Sequence, residues 1–281
     1  MERKVELRHT HCLNCGATIK GEYCHICSQR IRDNSDRSLS RLFGEFLSNT
    51  FFIDNRFFIS VWYLLRFPGR MTIEFIGGKR KKFISPVTLF LFVNLIYFFA
   101  SPLSDYSISL EDQIHPVQAF SKWTKEWVAH KLNSEGLEFR DYAITYQNMS
   151  DSISKVMMIV NIPMIAVLVF LMAFRRRRYY YDSLIFAFHF FSLFLGSWIM
   201  LGWVGKLLDF LPIQNDSAIF DISFSMWAYF IPLIYAILSI KKFIDLQWYW
   251  AIPAGVGVMF AVQVANILYR FIIFVLTFWF T

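Results

Sequence analysis

Apolar residues fall along this chain in long, nearly unbroken blocks. A bilayer core about 30 Å thick needs roughly 20 apolar residues in one helix, because lipid cannot satisfy exposed backbone polar groups. Five blocks suit that length: Phe83 to Leu103, Val156 to Phe174, Ser183 to about Val204, Ile219 to Ile240, and Ala251 to Phe280. The first, SPVTLFLFVNLIYFFASP, contains Pro86 near its start and Pro102 at its end and is interrupted only by Asn94. In the last, Arg270 marks either a buried functional charge or the interfacial end of a shorter span. The pattern predicts an all-α polytopic membrane protein with about five transmembrane helices.

Shorter amphipathic pieces precede the first block. Leu39, Leu42, Phe43, Phe46 and Leu47 recur at helical spacing, with Arg41, Glu45, Ser48 and Asn49 opposite. Asp54 suits the cap of a second helix carrying Phe57, Phe58, Val61, Trp62, Leu64 and Leu65, which Pro68 and Gly69 end. A third piece, Met71 to Ile76, stops at Gly77 and Gly78. With Arg56, Arg66 and Arg70 among them, these helices either lie in the headgroup plane or pack beneath the bundle, and periodicity does not separate the two. After the first block, 104–154 reads as an outer loop in which Phe120, Trp123 and Trp127 form a helical stripe opposite Lys122, Lys125 and Glu126. The division expected is a head (1–30), linker and amphipathic helices (31–82), and a membrane domain (83–281).

Composition sharpens the class. The 281 residues are 56% hydrophobic and 17% charged, against about a quarter charged in ordinary soluble domains, which excludes disorder and coiled coil. Charge then sets orientation, since Lys and Arg stay on the cytoplasmic side. Residues 1–85 hold fifteen Lys and Arg, ending in Lys79, Arg80, Lys81 and Lys82 beside the first block. The 104–154 segment has eight acidic residues against Lys122, Lys125, Lys131 and Arg140. Arg175 to Arg178 return to the cytoplasm, as do Lys241 and Lys242. Five spans therefore put the N-terminus inside and the C-terminus outside. No cleavable signal peptide is expected, and the net charge of +7 needs no nucleic acid, because its clusters flank spans.

All four cysteines lie at one end, in HCLNCGATIKGEYCHIC. Cys12 and Cys15 form one Cys-x-x-Cys, and Cys24 and Cys27 form another after eight intervening residues. Such a spacing lets each tight turn aim two thiolates at one ion, and four sulfurs make the closed tetrahedral shell of structural zinc. Redox dithiols and disulfides compete with this reading; a reducing cytoplasm and the missing strand and helix context weigh against them. His11 and His25 are adjacent alternate ligands. Gly21 suits the connection of a two-stranded ribbon that depends on its metal to fold.

The order of features resembles the bacterial family called domain of unknown function 3667. The resemblance rests on CLNCG and YCHIC at the cysteines, LLRFPGR at Leu64 to Arg70, FIGGKRKKFISP at Phe75 to Pro86, and YYYDSLIFAFHFF at Tyr179 to Phe191. It spans the head, the linker helices and the first three blocks, and departs from the usual pattern at Ser28-Gln29 after the fourth cysteine. It implies a prokaryotic inner-membrane protein with a zinc-binding head and no established activity.

Polar groups inside blocks are the remaining candidates. Asn94, Asn161, His189, Gln263, Asn266 and Arg270 qualify. The last three share one helix face, suited to a polar pathway, an anionic headgroup or plain hydrogen bonding between helices. Asp182 sits two turns before His189, on the same face at the cytoplasmic rim. Arg66, Arg70, Lys79, Arg80, Lys81 and Lys82 are candidates for lipid phosphate. No His-Glu-x-x-His, phosphate-cradling glycine loop or nucleophile elbow is visible. The leading functional expectation is docking, assembly or regulation through the zinc head, with membrane lipid, a protein partner at the head, or a second copy as partners. Transport of a lipid or small molecule is the alternative, and an intramembrane lipid-modifying enzyme a weaker one.

Overall fold

The computed structural model describes residues 10–31, 55–100, 109–174, 179–209 and 217–281. The expected Leu39 to Leu47 helix, the Asp54 cap, Pro102 and the Arg175 to Arg178 cluster lie outside them. The helices described are α1 (Asn55–Arg66), α2 (Arg70–Ile76), α3 (Pro86–Ala100), α4 (Leu110–Ile114), α5 (Ser121–Glu135), α6 (Phe139–Met157), α7 (Asn161–Ala173), α8 (Tyr180–Asp209), α9 (Ser217–Phe243) and α10 (Trp248–Phe280). No strand occurs among the described residues, so the expected two-stranded ribbon is replaced by isolated bridges, His11 with Thr18 and Tyr23 with Arg30.

Local chemistry explains where the helices begin and bend. Ser85 caps α3: its hydroxyl accepts from the Thr88 N–H at 3.1 Å, and Pro86 takes the first helical position, where no N–H is needed. Ser109 does the same for α4 through the Asp112 N–H at 3.0 Å. Gly136, with φ 67, closes α5 in the left-handed region. Between α6 and α7 the chain tightens into a single 3-10 turn, Met158–Val160. Pro163 lies four residues after Ile159 and removes the N–H that its carbonyl would have bonded.

Among the described residues, three helices are long and apolar enough to cross a membrane: Phe139–Ala173, Tyr180–Leu207 and Trp248–Phe280. The first of the five expected blocks is a 15-residue helix, α3, about 22 Å long and shorter than a full straight span. The fourth coincides with the 27-residue α9.

Aromatic contacts fix the helix directions. Phe186 meets Phe243, Phe190 meets Tyr235, and Trp198 meets Tyr229, so α8 and α9 run antiparallel. The Tyr269 hydroxyl donates to the Ser154 carbonyl at 3.2 Å, and Asn94 Nδ2 donates to the Lys155 carbonyl at 3.1 Å. These bonds tie α10 and α3 to α6 just before the 3-10 turn. At Gly255 a Cβ would clash with Ile237, whose Cα would be 2.7 Å away, so α9 and α10 approach to backbone distance.

Two cores result. The larger fills the bundle and includes Phe75, Phe83 and Phe90 with Phe186, Phe190, Phe191 and Tyr269. The smaller joins Leu110, Val128, Tyr142, Tyr146 and Phe274 at the end away from the head. The segment expected as an outer loop is therefore a helical cap, with the start of α6 and the end of α10 running into it. In α5 the buried positions are Thr124 and Val128, while Trp123 and Trp127 remain largely exposed. Part of the aromatic stripe still meets α10: Phe120 packs on Phe271 with ring centroids 4.5 Å apart, and Trp127 lies against Phe274 and Phe278 at 6.1 and 5.9 Å.

The amphipathic pieces divide in the same way. Met71, Thr72, Phe75 and Ile76 of α2 are buried, so that helix is part of the bundle's core. On α1, Ser60 and Leu64 are buried while Phe58, Trp62 and Leu65 form an exposed apolar face.

Candidate metal centre and its surroundings

The head is built from one unit used twice, twelve positions apart. Cys12 N donates to Ala17 O at 2.7 Å and Gly16 N to Cys12 O at 2.8 Å; in the second unit Cys24 N donates to Gln29 O and Ser28 N to Cys24 O, both at 2.9 Å. Each loop turns through a left-handed residue, Gly16 at φ 78 and Ser28 at φ 53. Glycine adopts this conformation without steric penalty and serine does not.

These turns bring the sulfurs of Cys12, Cys15, Cys24 and Cys27 within 4.8 Å of one another. Cys12 and Cys27 are 3.7 Å apart, and Cys15 and Cys24 are 3.5 Å apart. Bonds of about 2.3 Å to a central ion give a tetrahedral edge of about 3.8 Å, so the four sulfurs can hold a metal ion. His11 and His25 are exposed, and the His11 ring is engaged with the Thr10 hydroxyl at 2.9 Å.

The electrostatics suit a cation. Backbone N–H groups of Cys27 and Ile26 point at the Cys24 sulfur and draw its thiol down from an ordinary 9.0 to about 6. The Ala17 N–H acts in the same direction on Cys15, but desolvation and the sulfurs of Cys24, Cys27 and Cys12 outweigh it and push that thiol up to about 12. Four clustered sulfurs resist joint ionisation until positive charge sits among them.

Both units touch the chain that follows. Gln29 Nε2 donates to the Gly78 carbonyl at 2.8 Å, and Lys81 N donates to Gln29 Oε1 at 3.3 Å. Leu13 lies against Gly78, where a Cβ would fall 2.7 Å from Leu13 Cδ1. Gly78 is buried with φ 104, so it meets both demands of the turn.

The basic run beside this turn converges on one carboxylate. Lys82 Nζ lies 2.7 Å from Glu74 Oε2, Arg70 Nε 2.9 Å from Oε1, and Lys79 Nζ 3.6 Å from Oε2. Lys82 also donates to the Tyr63 hydroxyl at 2.7 Å. Desolvation opposes the Glu74 charge, yet the hydrogen bonds from Lys82 and Arg70 and the field of Lys79 hold its pKa below the ordinary value. Arg80 lies over the Phe75 ring, while Arg66 and Lys81 are exposed. Of the six candidate phosphate ligands, three are thus drawn to Glu74, a residue that carried no sequence signal beyond its i,i+4 spacing from Arg70.

The polar candidates of the apolar helices do not form one cluster. Asp182 is fully buried in the first turn of α8, where Oδ2 accepts from the Tyr179 N–H at 3.4 Å, a helix-capping role. His189 shares a hydrogen bond with Thr72 of α2 at 2.9 Å and stands edge-on to Phe75. Gln263 and Asn266 are half-buried on α10. Arg270 faces the cap: its Nη1 is 3.5 Å from Gln118 Oε1, and its carbonyl accepts from Gln113 Nε2 at 3.2 Å. The cleft there has a volume of about 10 Å³, space for about one water. Asn94 and Asn161 donate to the Lys155 and Met158 carbonyls.

Residues 54–98 match the family model described as protein of unknown function (DUF3667). The match covers 45 of the 281 residues, and over that segment the chain is similar to this family. The DUF3667 segment spans α1, α2, the Gly77–Lys82 turn and nearly all of α3, which is the surface the head rests on. The four cysteines lie outside it. No curated protein and no solved structure matches the chain significantly.

Proposed function

We propose that this is a bacterial inner-membrane protein in which zinc, bound by Cys12, Cys15, Cys24 and Cys27, shapes a cytoplasmic head that serves docking or assembly. The observation that carries the reading is the near-tetrahedral set of sulfurs, 3.5 and 3.7 Å apart in its closest pairs, seated beside the basic turn. Four protein ligands leave no open coordination position, so this zinc would be structural and its product would be a surface. The second unit offers that surface: Tyr23 and Ile26 are exposed, whereas Leu13 of the first is occupied by Gly78.

In this reading the polypeptide crosses the bilayer five times, α3 and α9 completing the spans, with the N-terminus inside and the C-terminus outside. The exposed face of α1 and the exposed Arg66 and Lys81 would meet lipid and its phosphates. Aromatic rings support the level of the membrane. Exposed Tyr179 and Trp203 on and beside α8 are about 36 Å apart along the axis, and Arg270 lies about 33 Å along α10 from exposed Trp248. Arg270 then sits at the outer interface, where cations and aromatics are tolerated.

Transport is less well supported, since Arg270 is turned to the cap and the cleft beside it is small. Native electrophoresis of solubilised membranes tests the docking reading. The wild-type chain is expected in a complex larger than itself, and Cys12→Ser/Cys15→Ser should be inserted but released from it. Identical migration of the two would count against docking, and solute flux in proteoliposomes abolished by Asn266→Leu would favour transport.

A further inference from the structure

The head has little apolar interior: among its described residues only Cys12 and Cys24 are buried. Its shape therefore depends on what ties the two units together. The contacts it makes with the rest of the chain come from both units, Leu13 between the first pair of cysteines and Gln29 just after the second. Gln29 is bound into its unit through the backbone, where its carbonyl accepts from Cys24 N. Neither side chain can hold its place on the turn unless the two units are fixed relative to each other.

The turn they hold is strapped at both ends. On one side Gly78 is buried under Leu13, and its carbonyl and the Lys81 N–H are bridged by Gln29. On the other, Lys82 reaches Glu74 and Tyr63, Ile84 N donates to Ser60 Oγ at 3.0 Å, and Ser85 caps α3. Head, turn and first apolar helix thus form one mechanical series.

From this geometry we infer that metal binding at the four cysteines and ordering of the Gly77–Lys82 turn are a single linked equilibrium, the head being a metal-dependent clamp on the entry to α3. The inference rests on the metal reading above. Linkage is reciprocal: whatever frees the turn weakens metal binding by the same factor that metal loss frees the turn. A hydrogen-bonding contact of ordinary strength corresponds to about fivefold in an equilibrium constant.

The turn contains its own reporter, because Lys79, Arg80, Lys81 and Lys82 are consecutive trypsin sites. The full chain, purified in detergent with its metal, would be digested briefly and its fragments weighed, with exposed Lys122 and Lys125 of α5 as internal references. Chelation should raise cleavage at 79–82 about tenfold relative to those references, because cleavage tracks the population of the opened turn, and added zinc should reverse it. Gln29→Ala should raise that cleavage with metal bound and weaken zinc binding about fivefold. Leu13→Ser should act in the same direction if the Gln29 variant is poorly folded. An unchanged cleavage ratio after chelation, in a chain shown to have lost its metal, would overturn the clamp. So would zinc affinity and cleavage that ignore both substitutions. A purified chain with no metal at its cysteines would instead refute the metal reading, and the Gln29 variant would still test the contact.

Discussion

At the scale of single residues, two side chains sit where their chemistry is under tension. Ser28 occupies a left-handed position that its counterpart fills with Gly16. Replacing Ser28 by Gly should stabilise the head by about 0.5–1 kcal/mol, visible as a higher chelator concentration at half-release of metal. Glu74 is the second. Its side chain is only 10% exposed and holds Lys82, Arg70 and Lys79 at once. Because its folded pKa lies below the ordinary carboxyl value of 4.5, its contribution is present above that pH and is lost as pH falls through the lowered value. The Lys82 pKa is raised: desolvation opposes this, but the Glu74 and Tyr63 bonds prevail, so its share persists below pH 10.5 and fades only as pH rises through the raised value. Glu74→Gln should cost about 1–2 kcal/mol at neutral pH, since it leaves partly buried cations underpaired. Melting curves should show the wild type converging on the variant below pH 4.5, and a constant gap down to pH 3 would contradict the assignment.

At the scale of elements, helix α10 carries the sharpest expectation. Gly255 lets α9 and α10 meet at backbone distance, whereas Gly196 on α8 has open space around its Cβ position. Gly255→Val should therefore lower stability in detergent by about 1–3 kcal/mol, and Gly196→Ala should be neutral or gain up to about 1 kcal/mol from helix propensity. Equal effects on the melting temperature would show that the close approach is absent. Elements were also where sequence and structure parted. Apolar blocks are legible because lipid requires length and composition alone, which a chain displays along one dimension. The overhangs were not legible: residues 139–153 of α6 are polar enough to resemble a loop, yet they are helical because Tyr142 and Tyr146 pack on Phe274 of α10. The stripe on α5 was legible as a stripe but not in what it meets: Phe120 and Trp127 bear on Phe271, Phe274 and Phe278 of α10, beside the buried Thr124 and Val128. Cys-x-x-Cys spacing was readable because each pair is local. The bridge from Gln29 to Gly78 joins residues 49 positions apart, and nothing in the spacing announces it.

At the scale of the whole molecule, the head, helices and cap form a series from one end of the bundle to the other. The head bears on the DUF3667 segment, that segment leads into α3, and α3 is tied through Asn94 to α6 and so to the cap. Removal of the metal should therefore be felt first at the Gly77–Lys82 turn and little in the distant cap core, as hydrogen exchange would show by a loss of protection confined to the head and residues 77–85. Cysteine chemistry offers the most direct measurement, because all four cysteines of the chain belong to the head. A membrane-impermeant maleimide should leave right-side-out vesicles unlabelled with or without chelator. It should label inside-out vesicles only after the metal has been stripped. Labelling from the outer side, or labelling from the inner side that is indifferent to chelation, would contradict a cytoplasmic head closed around a metal ion.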